Sequence, residues 1–390
     1  MHNFGTLLGF ELKKLLINKV TILMLFLFTG LLFGITMLEY LVIAPDDRYV
    51  AQRESALEGK MLDDEMLKRI EDEAEKYGGL TRIDGSSIYY HIAQYLIRAL
   101  GTYLSVPDTV SAVSTTPLTA ESFYKNRENI QEYLFDNFLL EENEKTFWRD
   151  KESEIIKPFT WKANYGISAM RRNYGMMVTL AMLTIGICLS GIFASESRYR
   201  TDALIECTIE GKRALPLMKI LAGELFSLIV SFLLLAAAQL PSIIFNGFHG
   251  IETACQIIAP FFSYTWTSGK LLLVYTGVYF LAGLLLGSIA IIISKLINNM
   301  IAVSGCICFT VLLDLFTTIP SEFRILSQIR SFTPLQVLIN SSIMDPRLIR
   351  VGQRYLTVFQ SAPIIYGVIA IVLCLITISI SRKHTKAVSQ

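Results

Sequence analysis

Apolar residues along this chain collect into six runs long enough to cross a bilayer, at 20–43, 174–194, 220–245, 271–293, 300–319 and 361–380. About 20 apolar residues in a helix rising 1.5 Å per residue cover the hydrocarbon thickness. Ahead of the first run, Phe4, Leu7, Leu8, Leu12, Leu15 and Leu16 recur at helical spacing, with Glu11, Lys14 and Asn18 on another face. Residues 1–19 are therefore predicted to form an amphipathic entry helix lying in the membrane interface. The predicted fold is an all-α polytopic membrane protein with six transmembrane helices. A mainly helical extracytoplasmic domain, residues 45–170, is inserted between the first and second spans.

That insertion reads as three helical segments. Asp46 to Lys76 is charged, with Leu57, Met61, Leu67 and Ile70 as its apolar positions, and Gly78-Gly79 ends it. Ser86 to Leu100 stops at Gly101, and Glu121 to Phe147 offers Phe123, Ile130, Leu134 and Phe138 to a core. Residues 105–119 read as a loop. Trp148, Trp161 and Tyr165 read as interfacial aromatics approaching the second span. None of the six cysteines falls in this region, so it must fold without a disulfide. His91 is its single histidine and reads as a structural residue.

Charge sets the orientation. The formal net charge of +1 hides about 23 acidic against about 15 basic residues in 45–170. Lys13, Lys14 and Lys19, then Arg198, Arg200, Lys212, Arg213 and Lys219, then Lys295, then Arg382-Lys383 mark one side as cytoplasmic. Both termini, the connection 195–219 and the tail 381–390 fall on that side. The domain and the loops 246–270 and 320–360 fall outside. Arg324, Arg330, Arg347, Arg350 and Arg354 run against the rule, which weighs the whole pattern. The first span is too long for a secretory signal and reads as an uncleaved anchor in a bacterial plasma membrane. The basic excess is spread over loop ends, so no nucleic-acid patch is predicted.

Gly30-x-x-x-Gly34 and Gly283-x-x-x-Gly287 place small residues where helix backbones can approach closely. Glu224 lies just past Lys219 and calls for pairing with it or with a neighbouring helix. Gln239 and Pro241 predict a kink in the third span. Phe261, Phe262, Tyr264 and Trp266 predict that loop 246–270 dips into the outer interface, and Ile325, Leu326, Ile329 and Phe332 form an interfacial stripe in 320–360.

Catalytic patterns are missing. Ser268-Gly269-Lys270 lacks the earlier glycine and the following Ser or Thr of a phosphate loop. H-E-x-x-H, G-x-S-x-G and Cys/His clusters are absent, and His2, His91, His249 and His384 are scattered. No catalytic, cofactor or metal site is predicted. The connection 195–219 is the notable feature: Leu204 and Ile205 face one side of a short helix, and Asp202 and Glu206 another. Such a helix between two spans suits capture by a soluble partner.

With Glu11 and Lys14 in the entry helix, Phe193-Ala194-Ser195-Glu196 ending the second span, then Thr201, Lys212-Arg213 and Lys219, the chain resembles the permease subunit of an ABC-2-type (type V) ABC transporter. Ser331-Phe332-Thr333-Pro334 is similar to that family's outer re-entrant region. Arg200 stands where the family has Gly before Thr, Gly211-Lys212-Arg213 lacks the family's Pro, and residues 45–170 exceed the family's short first loop. The resemblance implies two permeases, identical or paralogous, with two cytoplasmic ATPase subunits that carry ATP and Mg. It implies contact of those subunits with Glu196, Arg198, Arg200, Thr201, Asp202, Leu204, Ile205 and Arg213. Export of a peptide, lipid-linked or drug-like substrate would follow. A non-transporting transmission permease acting through its outer domain, and a receptor or scaffold without an ATPase, remain as alternatives.

Overall fold

The computed structural model describes residues 4–43, 47–101, 118–199, 214–297, 299–339 and 345–387. Helix α1 (Phe4–Leu16) leads through Asn18, whose side chain accepts from the Val20 amide at 2.9 Å, into α2 (Lys19–Leu38). The insertion carries α3 (Asp47–Arg53), α4 (Asp64–Tyr77), α5 (Tyr90–Ala99), α6 (Ala120–Asn137) and α7 (Glu142–Ser153). The bundle continues with α8 (Tyr165–Leu189) and α9 (Gly191–Tyr199), α10 (Leu215–Asn246), a single turn α11 (Cys255–Ile258) and α12 (Ser268–Leu296). Then follow α13 (Met300–Phe316), α14 (Arg324–Ser331), α15 (Pro334–Leu338), strands β1 (Ile349–Val351) and β2 (Arg354–Leu356), and α16 (Val358–Ala387).

Among the described residues, five helices are long and apolar enough to cross a membrane: Lys19–Val42, Tyr165–Glu196, Leu215–Asn246, Ser268–Leu296 and Val358–Ser381. The chain is a helical, multi-pass membrane protein. The fifth predicted span, 300–319, is shorter than expected. α13 stops at Phe316 with 17 residues, about 26 Å of helix against roughly 30 Å of hydrocarbon. Thr317, Thr318 and Pro320 follow it and supply poor helix formers where the apolar run was predicted to reach 319. The antiparallel hairpin β1–β2 also departs from an all-α chain.

The second span starts at Tyr165 rather than 174. Arg171, Arg172 and Asn173 depress hydropathy there, yet the helix is sheltered. Arg172 pairs with Glu39 at 2.7 Å and lies 5.5 Å from the Tyr165 ring centre, while Asn173 donates to the Ala238 carbonyl at 3.2 Å. The insertion therefore ends near residue 163, not 170.

Inside the insertion the long helices predicted from pattern are divided. Asp46–Lys76 breaks between α3 and α4, where Gly59 takes a φ of 78°. Glu121–Phe147 breaks between α6 and α7, where Leu139 takes a φ of 53°, an uncommon region for a side-chain-bearing residue. These reversals fold the segments onto a core of Leu62, Leu67, Ile70, Ile92, Leu96 and Phe123. Trp161 is 3% exposed and Trp148 7%, so both are core residues and not the interfacial aromatics predicted. His91 Nδ1 lies 2.8 Å from the fully buried Glu54 carboxylate.

At the close crossing of α10 and α12, Gly283 and Gly287 sit directly beneath Ser231 and Ser227. A methyl at either would press on those hydroxyls, so glycine sets the approach. Gly30 and Gly34 meet nothing within 4 Å. Packing within the chain falls to the second pair alone.

Candidate functional site

At the end of the bundle away from the insertion, four charged residues from three separate segments meet. Lys219, in the first turns of α10, is only 1% exposed. Its ammonium pairs with Glu196 of α9, donates to the Ile192 carbonyl at 2.9 Å and stands 5.0 Å from the Phe193 ring centre. A buried ammonium is costly unless paired and hydrogen-bonded, and here both conditions hold. Lys14 of α1 lies 4.0 Å from Glu196 and 3.8 Å from Glu11, which faces inward at 6% exposed. The entry helix thus turns Glu11 and Leu15 toward the third span and leaves Phe4 and Phe10 exposed.

Ser294 of α12 fixes the junction between α8 and α9. Its hydroxyl donates to the Ser190 carbonyl at 2.7 Å and accepts from the amides of Phe193 and Ala194 at 3.2 and 3.3 Å. Those are among the first amides of α9, which lack partners within the helix. Lys295 adds a second cation 5.4 Å from the Phe193 ring centre. A cleft of about 800 Å³ opens beside the cluster, with Glu11, Lys14 and Glu196 on its polar side and Val20, Met300 and Ile301 on its apolar side.

Glu196, predicted for a partner contact, is brought together with Glu11 and Lys14, predicted only as entry-helix residues. Arg198 lies in α9, but its side chain falls outside the described residues, as do Arg200, Thr201, Asp202, Leu204, Ile205 and Arg213. Glu224 does not pair with Lys219. It accepts from Ser288 of α12 at 2.7 Å. Ser190 and Ser294 escaped sequence reasoning, because they are ordinary small residues about 100 positions apart and nothing in their spacing joins them; Lys295 was read only as a charge marking the cytoplasmic side.

The opposite end holds a second polar assembly that sequence reasoning missed. Arg127 of α6 forms two bonds to Glu152 of α7, at 2.9 and 2.8 Å. Gln131 donates to Glu152 at 3.1 Å and to Ser263 at 2.6 Å, and Ser263 donates to Glu152 at 3.0 Å. Burial pushes the Glu152 carboxyl up, but Arg127, Gln131 and Lys157 outweigh it and hold it down at about 2. In loop 246–270, Phe261, Phe262 and Tyr264 are buried within the chain, and Arg127 and Gln131 of the insertion bond to its polar groups. Nearer the start of α7, Glu144 takes Arg324 and the Leu348 amide, and Trp148 donates to the Pro346 carbonyl at 2.6 Å. Arg347 pairs with Asp345. Three of the five arginines that strain the positive-inside pattern are thus held by local acids, Arg330 by Asp314 at 3.9 Å.

No family model matches the chain, and no curated protein or solved structure matches it. The cluster at α1, α9 and α10 is accordingly read from its own geometry.

Proposed function

We propose that the chain is the permease subunit of an ABC-2-type exporter, driven by ATP hydrolysed with Mg on a separate cytoplasmic subunit. The observation that carries this reading is the Glu11–Lys14–Glu196–Lys219 cluster. It ties the entry helix and the ends of two spans into one unit at the end where residues 200–213 connect α9 to α10. Force applied by a partner there would reach both spans and α1 together, since a buried ion pair resists separation. The cluster end is then cytoplasmic, the insertion is outside, and a second copy or paralogue completes the pathway. The exposed face of α2 around Gly30 and Gly34 is a surface for that copy. The cargo is a peptide, lipid-linked or drug-like molecule moved outward. Solubilising the chain from its native membrane and assaying the purified material for ATP hydrolysis tests this. A co-purifying ATPase is the predicted result, and repeated purification without one contradicts it.

The clamp at Glu152 and Glu144 favours a second reading, a transmission permease. It fastens the insertion to segments adjoining α12 and α16, so movement of those helices would be relayed outward. Under this reading an ATPase still co-purifies, but no substrate crosses the membrane of reconstituted vesicles.

A further inference from the structure

Glu224 is the tenth residue of α10, about 14 Å along the helix from Leu215 and so within the hydrocarbon of any membrane this helix crosses. A carboxyl at that depth is costly to keep unless it serves a purpose or is neutralised. Among the described residues it forms no ion pair. Lys219, five positions earlier, is held by Glu196 and the Ile192 carbonyl.

The groups that face it come from three helices. On α12, Ser288 donates to Oε1 at 2.7 Å. On α16, the Cys374 thiol lies 3.7 Å from Oε1 and 3.5 Å from the Ser288 hydroxyl. On α10 itself, Ser227 lies one turn on, and its hydroxyl hydrogen is committed to the Gly223 carbonyl at 2.9 Å. Oε2 is buried without a hydrogen-bond partner. It and the Ser227 hydroxyl both lie over Gly287, where an added methyl would touch the two of them. Along α12 the titratable groups on either side of Ser288 are Lys295, about two turns on beside the Phe193 ring, and Tyr279, more than two turns back. Among the described residues no donor reaches Oε2, and an unpaired charge in hydrocarbon is far costlier than a neutral acid.

We propose that Glu224 is an intramembrane proton-binding site, occupied in the packed bundle. Ser288 holds Oε1 and fixes the carboxyl over the Gly283–Gly287 crossing. Glu224 is half-buried, and its Oε2 is covered. Separation of α10 from α12 would remove this arrangement, so proton occupancy and the packing of the two helices are linked. The proposal requires only that α10 crosses the membrane and does not depend on the partner ATPase.

The test is labelling of the full chain in phospholipid vesicles with dicyclohexylcarbodiimide, an apolar carbodiimide, read by peptide mass. A neutral carboxyl gives its proton to a carbodiimide nitrogen while its oxygen bonds to the central carbon. Migration of the acyl group to nitrogen then leaves an N-acylurea, with nothing oxidised and no group expelled. The predicted result is an adduct on Glu224 at neutral pH that falls away as the pH rises. A water-soluble carbodiimide should modify the exposed Glu65 but spare Glu224. Glu224→Gln should abolish the adduct and leave the thermal midpoint unchanged or higher, since the amide keeps the Ser288 bond without a charge. An unlabelled Glu224 in folded protein, labelling independent of pH, or equal reaction with the water-soluble reagent would each overturn the proposal.

Discussion

Lys219 and Glu196 form an ion pair across the ends of two different helices, with the lysine 1% and the glutamate 16% exposed. The pair is enclosed on one side by the Phe193 ring and on the other by α1 through Lys14. Removing one partner of such a pair strands the other charge.

Glu196→Gln is predicted to cost about 3–5 kcal/mol, because the buried ammonium loses its counter-charge. Lys219→Met should cost less, since Glu196 can turn to Lys14 and solvent. The double variant should be more stable than Glu196→Gln alone. Thermal unfolding in detergent, arranged as a double-mutant cycle, checks this. Additive effects of the two substitutions would show that the pair is not coupled.

The clamp at Glu152 predicts an acid transition. Its folded value, about 2, lies below the ordinary glutamate range of about 4.3. The group therefore contributes stability above about pH 4, and that contribution is lost as the pH falls toward 2. The shift corresponds to about 3 kcal/mol. Hydrogen exchange of residues 255–267 should rise over that interval and should already be raised at neutral pH in Glu152→Gln. Exchange that stays flat in both experiments would exclude the clamp.

The two glycine pairs should respond differently. Gly283→Ala with Gly287→Ala forces Ser231 and Ser227 aside and should destabilise the bundle by about 1–3 kcal/mol. Gly30→Ala with Gly34→Ala meets open space and should change the stability of detergent-dispersed monomers by less than about 1 kcal/mol. Equal effects at the two sites would contradict the packing described.

The spans were legible because a continuous apolar run is a local signal. The α10–α12 crossing was legible through Gly283 and Gly287, but the same spacing at Gly30 and Gly34 has no neighbour within the chain. Hydropathy misplaced the start of the second span because Arg171 and Arg172 carry charge that the fold accommodates, Arg172 through Glu39. Periodicity placed Glu11 on a polar face with Lys14 and Asn18, and in the fold Glu11 is buried while those two stay exposed. The breaks at Gly59 and Leu139 follow from a shared core that linear pattern does not contain. The bonds from Arg127 and Gln131 to residues 261–263 join groups more than 100 positions apart, and Ser263 is unremarkable in sequence.

The central claim is that a cytoplasmic ATPase acts on the bundle through the connection between α9 and α10, which carries Leu204 and Ile205. Replacing both with Asp removes an apolar contact and would bury two unpaired charges at such an interface, costing several kcal/mol. The most direct measurement is the ATPase activity that co-purifies with this Leu204→Asp, Ile205→Asp variant, compared with the unchanged chain at equal membrane insertion. Loss of the bound ATPase, or hydrolysis without transport, is predicted. A variant that inserts, retains its ATPase and transports at the original rate would contradict the account.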